Sequence, residues 1–195
     1  MQVKSRKSAA SVDYDVILIQ RIAMREEQAF ALFYEHYGNQ LYGFAYRMLQ
    51  NHDEAKEALQ DALVQIWKRA AVYDESKASP LTWTIMILRR LCIDRLRAQR
   101  RKGMLMDHWQ HAWPAKENPH NHSASPFSEA DVSDCLGAAL RKLPPEQWEA
   151  IAMAFYQGMT QGEIAQATLQ PLGTIKARIR RGMLKLRELL RDIYA

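Results

Sequence analysis

Seven cationic side chains lie between Arg89 and Lys102, opposed by one acid, Asp94. Seven more fall between Leu172 and Arg191, opposed only by Glu188. The 195-residue chain has a formal net charge of +5, so the residues outside these two runs carry a net −7. Cation is therefore gathered into two places on an otherwise acidic chain. Guanidinium and ammonium groups arranged this way make and break no covalent bonds. They neutralise phosphates and release counterions, the main source of sequence-independent affinity for a polyanion. A lone run of charge is usually a solvated helix face. Two runs of equal charge, each on an expected helix, favour nucleic acid.

Other residue types that could do chemistry are sparse or badly spaced. His108, His111, His120 and His122 fall close together, but their spacing is irregular and no Cys lies near enough to complete a tetrahedral metal pattern. Cys92 and Cys135 are far apart, which fits a reducing compartment better than a disulfide framework. No nucleoside-triphosphate loop and no convergent catalytic set is present, so the expectation is a non-enzyme without cofactor or metal. No apolar run reaches membrane-span length, and the start MQVKSRKSAASVDYD lacks a signal-peptide core, so a cytoplasmic protein without membrane insertion is expected.

The elements that must hold these cations read as helices. Apolar residues recur at three and four, strand alternation is nearly absent, and the class is all-α: two small helical domains on a flexible linker, the C-terminal one a helix-turn-helix domain. Residues 1–102 form the first domain, 103–127 the Pro-, Asn- and Ser-rich linker, and 128–195 the second. A first helical region spans Tyr14 to Leu49, with Phe30, Phe33, Tyr34, Tyr37, Leu41, Phe44 and Met48 as its core stripe. The next helix, Asp53 to Ala71, is N-capped by Asp53 and buries Ala55, Ala58, Leu59, Ala62, Leu63, Ile66, Trp67 and Ala70, leaving Glu57, Gln60, Asp61 and Lys68 opposite. Pro80 suits the first turn of a helix to Arg101, on which Trp83, Arg90, Arg97 and Arg101 fall near one side at 3.6 residues per turn. An aromatic ring above a ladder of guanidinium groups could stack on unpaired bases while holding their phosphates; the competing reading buries Trp83 in the core.

In the second domain Ser128 and Asp131 resemble a capping box, and helices are expected at Glu129–Arg141, Pro145–Gln157, Gln161–Thr168 and Leu172–Ile193. Trp148, Ile151, Ala152 and Phe155 give the second of these a buried stripe, and Gly158 closes it. Thr160 is a natural N-cap for the short third helix, and TLQPLG leads tightly into the long basic one. Short helix, turn and longer basic helix is the helix-turn-helix pattern, whose second helix enters the major groove of DNA. On that helix Ile175, Ile179, Met183, Leu186 and Leu190 mark the inward stripe. Thr174, Lys176, Arg178, Arg180, Arg181 and Lys185 are left outward, the first of them towards base edges and the later cations towards phosphate.

Taken in order, these segments resemble the extracytoplasmic-function sigma factors of bacterial RNA polymerase. EAKEALQDALVQIW resembles region 2.2, with Glu54, Ala55, Glu57, Gln60, Asp61 and Trp67 in register. LTWTIMILRRLCIDRLRAQRR resembles regions 2.3 and 2.4, and LPPEQWEAIAMAFYQGMTQGEIA with PLGTIKARIRRGMLKLR resembles region 4. The resemblance implies a transcription initiation factor that binds core RNA polymerase, directs it to promoter DNA and helps melt the −10 element. It implies that Glu57, Gln60 and Asp61 dock on the clamp coiled coil of the beta-prime subunit, and that Trp83, Arg90, Arg97 and Arg101 face the melted −10 element. Thr174, Lys176, Arg178, Arg180 and Arg181 would face the duplex −35 element, the linker would run towards the RNA exit path, and an anti-sigma factor would mask the polymerase-facing surfaces.

Four positions depart from the family pattern: Lys56 stands where Glu is usual, Met86 where Arg is common, Arg90 where Asn is common, and Leu169 in place of a turn Gly. Two rival readings remain open on the residues alone. One is a stand-alone helix-turn-helix regulator that binds duplex DNA without polymerase; the other is a metal hydrolase built on the linker histidines.

Overall fold

The computed structural model describes residues 4–101, 103 and 139–194. The chain divides into two compact units, residues 1–102 and 103–195. Every regular element among the described residues is helical. The expected linker beyond Gly103, its four histidines, Cys135 and the Ser128–Asp131 box lie outside the described residues, as does most of the Glu129–Arg141 helix, of which 139–141 are helical.

The first unit holds α1 (Lys4–Ala23), α2 (Glu27–Leu49), α3 (His52–Arg69), a 3-10 turn at Ala70–Val72, and α4 (Pro80–Arg101). Its core joins Leu18, Ile19 and Ile22 of α1 to Phe33, Tyr37 and Leu41 of α2, Ala55, Ala58, Ala62 and Ile66 of α3, and Leu88 and Cys92 of α4. The fully buried alanines of α3 keep its inner face thin, so α3 packs closely against both α2 and α4.

Three expectations for this unit are corrected. The region Tyr14 to Leu49 is two helices, broken where Arg25 adopts a left-handed φ of 66°. The break is closed locally, the Arg25 amide donating to the Ile22 carbonyl at 2.9 Å and the Glu26 amide to the Arg21 carbonyl at 3.2 Å, with Arg21 paired to Glu26 at 2.8 Å; the Arg25 guanidinium lies 5.5 Å from the Trp67 ring centroid and donates to the Trp67 carbonyl. The cap of α3 is Asn51, not Asp53; its Oδ1 accepts from the amides of Asp53 (2.9 Å) and Glu54 (3.0 Å). Tyr34 is exposed, outside the buried stripe of α2.

The second unit holds α5 (Pro145–Phe155), α6 (Gln161–Ala167) and α7 (Leu172–Tyr194). Ala139, Leu143, Ile151 and Leu186 form its core, with Trp148, Leu189 and Leu190 packed around them. Phe155 and Met183 do not join it; both are exposed. The inner line of α7 passes through Ile175, Gly182 and Leu186, because α5 crosses closely at Gly182. A Cβ there would sit 2.6 Å from Ile151 Cδ1 and 3.2 Å from Gln147 Cβ. A hydrophobic pattern passes over a glycine and lands on its neighbour Met183.

Candidate nucleic-acid interface

On α4 the four-residue steps Pro80, Thr84, Leu88, Cys92 and Leu96 face inward, and buried Thr84 satisfies its hydroxyl by donating to the Leu81 carbonyl at 2.9 Å. This register leaves Arg90, Arg97 and Arg101 exposed. Positive charge is concentrated enough here to act on its own members: burial first, then the charge of Arg97, lowers the pKa of the half-buried Arg89.

Trp83 is neither a free platform nor a core residue. It is half-buried, with its ring 5.4 Å from that of Tyr73 at 59°. Tyr73 is itself fixed, its hydroxyl donating to the Ala78 carbonyl at 2.9 Å. The intervening turn is held by Lys77 and Asp74 at 2.7 Å and by the Ser76 hydroxyl donating to Asp74 at 2.6 Å. The donors from Lys77, then Ser76, hold the Asp74 carboxyl down at about 2. The chain before α4 thus braces one side of the indole and leaves the rest accessible. Sequence reading missed Tyr73; an aromatic ten residues before Trp83 carries no periodic signal.

Glu57, Gln60 and Asp61 are all exposed on α3. Asp61 is not free, however. Arg95 of α4 donates from Nη2 to Asp61 Oδ2 at 2.6 Å, and its Nε lies 3.4 Å from Glu54 Oε2. Arg95, counted in the first basic run, therefore sits apart from Arg90, Arg97 and Arg101.

In the second unit the helix-turn-helix is α6, a turn and α7. Thr160 and Glu163 close a reciprocal capping box, the Glu163 amide donating to Thr160 Oγ1 at 3.2 Å and the Thr160 amide to Glu163 Oε2 at 2.6 Å. The turn keeps a left-handed residue although it lacks glycine: Leu169 has φ 53° and its side chain is 89% exposed. The five expected α7 residues do not form one row. Lys176 and Arg180, one turn apart, are exposed together, whereas Thr174 and Arg178 are half-buried and share a flank with exposed Arg181. Leu172, exposed at the head of the helix, stands beside Lys176 on the outer face.

Among the described residues no group of three or more His, Cys, Asp and Glu could hold a metal, and no helix is long and apolar enough to cross a membrane. The arrangement offers cationic helical faces, a braced indole and an acidic helix face, all means of binding.

Two family descriptions match the chain: Sigma-70 region 2 over residues 33–102 and Sigma-70, region 4 over residues 139–188. The ECF RNA polymerase sigma factor SigK of Mycolicibacterium vanbaalenii is 31% identical over 173 residues, 89% of this chain and 87% of that protein. The ECF RNA polymerase sigma factor RpoE of Cereibacter sphaeroides is 33% identical, over 84% of this chain and 87% of that protein. Among solved structures, Rhodobacter sphaeroides SigE in complex with the anti-sigma ChrR is 32% identical, covering 89% of this chain and 96% of that one, with a TM-score of 0.44.

A sigma factor of RNA polymerase is the class that these two regions define. Within it, the chain belongs to the extracytoplasmic-function family. It is a transcription initiation factor that directs polymerase to promoter DNA, and the stand-alone regulator is set aside.

Proposed function

We propose that the two units divide the promoter between them. Trp83, Arg90, Arg97 and Arg101 of α4 capture the melted −10 strand, while Thr174, Lys176, Arg178, Arg180 and Arg181 grip the −35 duplex from the two flanks of α7. The observation that carries this reading is the braced, partly accessible Trp83 on the same helix as three exposed arginines. Stacking an extruded base on a ring contributes about 1 to 3 kcal/mol, comparable with the few kcal/mol that unpairing costs. Opening then needs binding energy and no catalysis by this chain; the polymerase supplies the chemistry, in the cytoplasm.

Polymerase itself docks on the acidic face of α3 through Glu57, Gln60 and Asp61, against the cationic clamp coiled coil of the beta-prime subunit. An anti-sigma factor, the kind of partner with which the relative SigE has been solved, holds the protein inactive by masking these surfaces.

Run-off transcription from a promoter library with purified core enzyme tests the whole reading. Initiation at a defined −35/−10 pair that requires both core and this protein is expected. Tight promoter binding without core, or association with core that never yields initiation, would overturn it.

A further inference from the structure

Arg95 stands on the helix proposed to face DNA, yet its guanidinium is spent on the neighbouring helix. Its side chain is only 20% exposed, reaching Asp61 at 2.6 Å and Glu54 at 3.4 Å. These acids lie seven residues apart on α3, two helical turns, so a single planar fork spans both. The Asp61 side chain remains 57% exposed, leaving lone pairs open to a second cation.

We propose that Arg95 is a positioning residue for polymerase docking and makes no contact with promoter DNA. By holding Glu54 and Asp61 in place before the partner arrives, it removes side-chain freedom that docking would otherwise have to freeze, an effect of roughly three- to tenfold on affinity. The inference rests on the α3 docking reading.

The test measures binding of full-length variants to core polymerase, then binding of the saturated holoenzyme to a −10 promoter fragment across a salt series. Arg95→Gln should weaken core binding roughly three- to tenfold, Arg95→Lys should recover part of the loss, and Arg95→Gln added to Asp61→Asn should cost less than it does alone, only the Glu54 contact being left to lose. Thermal midpoint, helicity and the salt slope of promoter binding should stay at parental values. Unchanged core affinity in Arg95→Gln would overturn the proposal. So would a salt slope reduced by about 0.7 to 0.9, the mark of a lost phosphate contact. A loss of core affinity that persists undiminished in the Asp61→Asn background, together with a lowered midpoint, would also sink it by showing a purely architectural role. Glu57→Lys separates the two levels: if that variant too keeps full core affinity, the α3 docking reading itself fails.

Discussion

Burial sets the chemistry of individual residues here more than residue type does. Cys92 is fully buried on α4, and that desolvation pushes its thiol up to about 12. Below pH 9 the thiol is protonated in both folded and unfolded chains; between pH 9 and about 12 only the unfolded chain sheds the proton, so this residue's contribution to stability falls as pH rises through that window. In a Cys135→Ser protein, iodoacetamide should leave Cys92 unmodified under native conditions at pH 8 and label it in urea. The advantage in urea midpoint over a Cys92→Ala variant should shrink above pH 9. Trp83 illustrates the opposite balance. Trp83→Ala should weaken capture of a −10 single strand by holoenzyme by about 1 to 3 kcal/mol, read by anisotropy, while leaving −35 duplex affinity unchanged. Equal losses at both elements would show that Trp83 only supports the fold.

The elements are shaped by backbone constraints that side-chain patterns do not display. Leu169 holds a left-handed conformation that costs an L-residue about 1 to 2 kcal/mol, and its exposed side chain offers no packing in compensation. Leu169→Gly should relieve that strain less the roughly 0.5 to 1 kcal/mol of extra freedom glycine has in the unfolded chain. A net gain of up to about 1.5 kcal/mol should appear as slower hydrogen exchange in α6 and α7, and a net loss would contradict it. Gly182 is the reverse case, a position where absence of a side chain lets α5 and α7 approach. Gly182→Leu should destabilise the second unit by about 1 to 3 kcal/mol, lowering its thermal midpoint, since the new atoms meet Ile151 and Gln147. At this scale the helices after Pro80, Pro145 and Thr160 were legible in advance, because proline and a capping box act locally. The break at Arg25 was not legible, because a left-handed turn closed by the backbone of residues 21–26 carries no glycine or proline to mark it.

For the whole molecule, charge segregation is the organising fact: the acidic face of α3 and basic α4 belong to one unit, and a second basic helix belongs to the other. Glu57→Lys reverses charge on the exposed α3 face without touching the core. Capture of core polymerase should fall at least tenfold in a pull-down or anisotropy titration, with helicity by circular dichroism unchanged. Retained capture would mark the face as ordinary solvated surface.

Composition and spacing were enough to predict the all-helical class, two cationic helices and a helix-turn-helix, since each follows from short-range periodicity; the family came from the resemblance of whole segments, in order, to sigma regions 2 and 4. Tertiary packing alone decided which of those cations stay available. Arg95 is drawn to Glu54 and Asp61, Trp83 leans on Tyr73, and Gly182 displaces Met183 from the core line. The first and last of these outcomes turn on a distance between helices, the second on how the chain before α4 folds back on it. A one-dimensional pattern holds no such distance; it exists only once α3 meets α4 and α5 crosses α7.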